Sequence, residues 1–66
     1  MITVNAEDVQ EGMEIKTWFG THTVLRIDPY IGTDDRILNI LIFSNGYKLT
    51  NWKSNVYRLK MNWMPK

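Results

Sequence analysis

Cations and aromatic rings alternate through the second half of this 66-residue chain: Phe43, Tyr47, Lys48, Trp52, Lys53, Tyr57, Arg58, Lys60 and Trp63. Rings offer faces on which bases stack, and ammonium or guanidinium groups track a phosphate backbone, so this mixture suits single-stranded nucleic acid. A stacked base contributes about 1–3 kcal/mol. The candidate contact set is Phe43, Lys48, Trp52, Lys53, Arg58 and Lys60. A competing reading places Phe43 and Trp52 in the core of a sharply bent sheet, with the lysines as solubilising residues.

The charges are segregated along the chain. All seven acids, Glu7, Asp8, Glu11, Glu14, Asp28, Asp34 and Asp35, lie in the first 35 residues. Against Lys16 and Arg26 they give residues 1–35 a net charge of −5. Residues 36–66 hold no acid and six bases, for +6. The net +1 therefore conceals either a bipolar surface or two halves joined by ion pairs. A basic, aromatic surface would hold phosphates, whereas the acidic segments 7–14 and 28–35 could mimic nucleic acid and capture a basic partner.

Other chemistry finds little support. There is no cysteine, so neither a disulfide nor a thiolate metal site can form. The lone His22 cannot make a zinc site. Ser44 and Ser54 have no partner set resembling a nucleophilic triad. Asp34 and Asp35 are adjacent, so their carboxylates point apart. Glu7, Asp8 and Glu11 lack the spacing of a calcium loop. The four glycines are isolated, without a phosphate-loop pattern. A non-enzymatic chain without metal or small-molecule cofactor is expected.

The elements that would position these residues are short strands. Gly12, Gly20, Gly32 and Gly46 punctuate the chain at intervals of about ten residues, as in small all-β folds. Strands are expected over residues 2–5, 13–19, 22–27, 36–44 and 56–63, with a turn or single helical turn over 6–11 capped by Asn5. Gly20-Thr21 is expected to turn the chain, Asp28-Pro29 to end or kink a strand, and Pro65 to end regular structure.

Asn45-Gly46 is the strongest local signal. A two-residue type I′ loop would place Phe43 opposite Lys48 and Ile42 opposite Leu49. Ile40, Ile42, Tyr47 and Leu49 would then form the core face. Leu41, Phe43, Lys48, Thr50 and Trp52 would share the other.

The opening Val4-x-Ala6-x-x-Val9-x-x-Gly12-Met13-x-Ile15, then Thr23-Val24-x-x-Ile27, then a strand ending at Asn45-Gly46, resembles small SH3-like or Hint-like β-barrel proteins of phages and bacteria. The resemblance implies an all-β, SH3-like barrel of five or six short antiparallel strands in a single domain spanning residues 1–66. It carries no site residues. The chain lacks the initial Cys or Ser and the terminal His-Asn pair of true Hint domains, so protein splicing is not implied.

The resulting expectation is a small binding module that contacts nucleic acid through its C-terminal half. The alternative is a phage-type inhibitor or adaptor of a host protein, with exposed Trp, Tyr and Arg as anchors. A third role is a structural subunit pairing through its last strand. No apolar run is long enough to span a bilayer, and no export signal is evident, so a cytoplasmic location is expected.

Overall fold

The computed structural model describes residues 2–60. The elements in order are β1 (Thr3–Asn5), a 3-10 turn (Ala6–Asp8), β2 (Glu14–Thr17), β3 (Gly20–Pro29), β4 (Ile37–Phe43), β5 (Lys48–Trp52) and β6 (Val56–Leu59). The strands form one antiparallel sheet in the order β1-β6-β2-β3-β4-β5. The expected continuation of the last strand over 61–63 and its stop at Pro65 lie outside the described residues.

The all-β antiparallel architecture matches the turn spacing, but the sheet is not closed into a barrel. Its edges, β1 and β5, share no ladder. After Asn5 the chain enters the 3-10 turn, and Ala6 N–H is taken by Asn55 O at 2.9 Å. That bond continues the β1–β6 ladder, and β1 ends after three residues without reaching β5. Asn5 occupies the N-cap position with extended backbone, yet its side chain makes no capping bond, unlike the expected cap.

β3 serves both halves of the sheet. Its first residues pair with β2 and its later ones with β4, across a register shift between Val24 and Arg26. The extra residue bends the strand and leaves Leu25 exposed. Inward side chains from the two halves meet in a core of Val4, Val9, Met13, Ile15, Val24, Leu41, Phe43, Tyr57 and Leu59.

The β4–β5 hairpin differs from expectation by one residue. Among the described residues only glycines have positive φ, so Asn45 does not adopt the type I′ geometry. Within this loop only Gly46 has positive φ, at 88°. Gly46 N–H donates to Phe43 O, and Phe43 N–H to Tyr47 O, both at 2.9 Å. Together these bonds define a three-residue loop whose third residue is a bulge glycine. A one-residue slip exchanges the faces. Lys48 therefore lies opposite Ile42, and Leu49 opposite Leu41. Leu41 and Phe43 point into the core cluster, and Ile40 and Ile42 take the opposite face with Thr50 and Lys48, where Ile42 is still buried as expected.

Candidate nucleic-acid interface

The six expected contact residues do not share one surface. Phe43 is fully buried, so it belongs to the core and offers no face to a base. Lys48 stands on the outer face of β5 with Thr50. Trp52 ends the same strand and is partly exposed, with the Arg36 guanidinium 5.3 Å from its ring centroid. Lys53 follows, its N–H bonded to Arg36 O. Arg58 and Lys60 belong to the other half of the sheet, on and just after β6.

The Trp52 corner is close to electrically balanced. Arg36 is held by Asp34 in a two-pronged contact of 3.0 and 2.8 Å. The Arg36 side chain and backbone N–H bonds hold the Asp34 carboxyl down at about 2. Asp35 shares with Arg36, Trp52, Lys53 and Ser54 a shallow cleft of about 500 Å³. Two acids thus face two bases.

The β6 half differs. Registers place Thr3 opposite Arg58, Arg58 opposite Lys16, and Lys16 opposite Thr21. These four side chains alternate with inward Val4, Tyr57, Ile15 and Leu59, and all four are exposed. They form a row across β1, β6, β2 and β3, about 14 Å long at ordinary strand spacing. The two central members are cations in direct register. Like charges so placed repel. Among the described residues no carboxylate lies in ion-pair range of either; the ion pairs are Arg26–Asp28, Arg36–Asp34 and Lys60–Glu14. Only the last, at 3.2 Å, joins residues far apart in sequence. The charge segregation is therefore mostly a surface property.

Beside the row lies an open depression of about 660 Å³, lined by Glu14, Lys16, Thr21, His22, Thr23, Ser44 and Lys60. Its walls carry hydroxyl and ammonium donors. Among the described residues no three His, Asp or Glu side chains form a metal-binding group. No helix there is long and apolar enough to cross a membrane.

Lys16 was absent from the expected set because it lies in the acidic half of the sequence, and strand pairing alone brings it to Arg58. The β2–β3 turn also lies earlier than the expected Gly20-Thr21. It consists of Trp18-Phe19, with Thr17 paired to Gly20 at φ 113°. The Thr17 hydroxyl donates to Gly20 O at 2.9 Å and accepts from Phe19 N–H at 3.2 Å. The turn thus displays Trp18 at the tip, 75% exposed. Tyr47, expected in the core, also lies at a hairpin tip, stacked on Phe19 with ring centroids 4.2 Å apart.

No family model, curated protein or solved structure matches this chain.

Proposed function

We propose that this chain is a non-enzymatic binding module that contacts the phosphates of nucleic acid through the outer face of β2 and β6. The observation that carries this reading is the Lys16–Arg58 pair, in direct register and without a neutralising carboxylate among the described residues. Such a pair costs stability in the free protein. A polyanion laid across it removes the repulsion and releases counterions. Thr3 and Thr21 extend the row with hydroxyl donors, and Lys60 stands near it, shared with Glu14. The SH3-like kinship, of phage or bacterial type, belongs to the same reading. It is supported by the short antiparallel strands and by the bent β3 shared between two half-sheets.

The test is fluorescence anisotropy of a labelled mixed-sequence oligonucleotide at low salt, followed by back-titration with salt. Saturable binding that falls steeply with salt is expected. Each single-strand phosphate contact contributes about 0.7 to the logarithmic slope, so the double variant Lys16→Gln/Arg58→Gln should flatten it by about 1.4. Absence of binding at low salt, where screening is weakest, contradicts the reading.

A second reading rests on the Trp52–Arg36 corner. Its charge balance suits a protein better than a phosphate chain, and Trp and Arg are common interface anchors. On this reading the chain is an adaptor or inhibitor of a host protein. Trp52→Ala would then abolish capture of that protein while leaving the circular dichroism spectrum unchanged.

A further inference from the structure

We infer that Trp18 is a base-stacking residue, which makes single-stranded nucleic acid the ligand of the β2–β6 face. This rests on the phosphate-contact reading above and adds to it the strandedness of the ligand. Trp18 leaves 75% of its surface in water, although a ring of that size is strongly driven to burial. The β2–β3 turn holds it there with the two Thr17 hydroxyl bonds.

Two neighbouring rings brace it. Phe19 meets it edge-on at 5.1 Å and Tyr47 at 6.2 Å. Phe19 also contacts Tyr47, His22 and core Phe43, so the support extends to the fold interior. His22 Nε2 lies 3.2 Å from Phe19 O, tying the turn to β3. A ring held by such contacts before binding loses less entropy when a base stacks on it.

Cations flank the residues that build this tip. Lys16 lies two residues before Trp18 and belongs to the cationic row with Arg58. Lys48 follows Tyr47 and has no ion-pair partner among the described residues. Aromatic stacking beside a cationic track is how sequence-tolerant single-strand binders work. A duplex keeps its bases stacked on one another and could use the row but not the ring.

The experiment compares a single-stranded oligonucleotide with its duplex, using the wild type, Trp18→Ala, Trp18→Leu and Trp18→Tyr. Both Trp18→Ala and Trp18→Leu should weaken single-strand binding by about 5- to 140-fold, one stacked base. Neither should alter the salt slope or the duplex affinity. Trp18→Tyr should restore much of the loss, because it returns an aromatic face. Trp18→Leu keeps apolar bulk at the tip, so a loss shared with Trp18→Ala reports stacking rather than folding. Wild-type binding that is insensitive to all three substitutions overturns the inference and leaves the phosphate reading standing. Failure of the wild type to bind either oligonucleotide overturns both, and a protein ligand for the tip becomes the account.

Discussion

The Tyr57 hydroxyl donates to Asn51 Oδ1 at 2.7 Å, joining β6 to β5 across the interior. Asn51 is fully buried, and its amide donates to Ala6 O at 3.1 Å and to Asn39 Oδ1 at 2.8 Å. Asn55 Nδ2 donates in turn to the Tyr57 hydroxyl at 2.9 Å. The network connects edge strand β5 with the turn after edge strand β1, which no ladder does. Because Tyr57 points inward, its neighbour Arg58 must point outward beside Lys16.

Tyr57→Phe should therefore destabilise the protein by about 1–3 kcal/mol, because Asn51 Oδ1 loses its donor in a buried site. In urea the transition midpoint should fall with the slope unchanged. An unchanged midpoint would mean that the network does not hold the fold.

The same hydroxyl predicts an alkaline limit. Burial raises the Tyr57 pKa above 10, partly opposed by the Asn55 hydrogen bond. A folded value above the unfolded one means that the folded state retains its proton longer. The associated stability is complete below pH 10 and is lost as pH rises through the folded value. Wild-type stability should fall more steeply above pH 10 than that of Tyr57→Phe. Parallel curves would contradict this.

Acid acts through Asp34. Its carboxyl is lowered from 3.8 to about 2 by the Arg36 contacts. The stability it supplies is present above 3.8 and is lost as pH falls through about 2. An NMR titration of the Asp34 side chain should give that low midpoint, and Arg36→Gln should return it toward 3.8.

Gly46→Ala should cost about 1–2 kcal/mol, since φ 88° is a left-handed conformation that a Cβ disfavours. No atom lies within 4 Å of the added carbon, so the effect is conformational rather than a clash. Thermal unfolding of the variant measures it.

That glycine also marks where sequence reading reached its limit. The strand pattern was legible because turn residues interrupt apolar runs at regular intervals. Asn45-Gly46 announced a hairpin, but the choice between two- and three-residue loops depends on whether Asn45 takes positive φ. It does not, and the one-residue difference moved Phe43 from the expected stacking face into the core. Arg58 and Lys60 could be marked by charge. Lys16 could not, since its role arises from pairing with a strand more than forty residues away. Trp18 was hidden differently, because a two-residue turn made of Trp and Phe carries no ordinary turn signature, and the adjacent Gly20 drew the expected turn past it.

The most direct test is a ¹⁵N-resolved NMR titration with a short single-stranded oligonucleotide at low salt, following the amides of Lys16, Thr21 and Arg58 and the Trp18 indole. These resonances should shift together and saturably, while those of Glu7 and Asp8 stay fixed. Shifts confined to Arg36, Trp52 and Lys53, or none at all, would contradict the proposed interface.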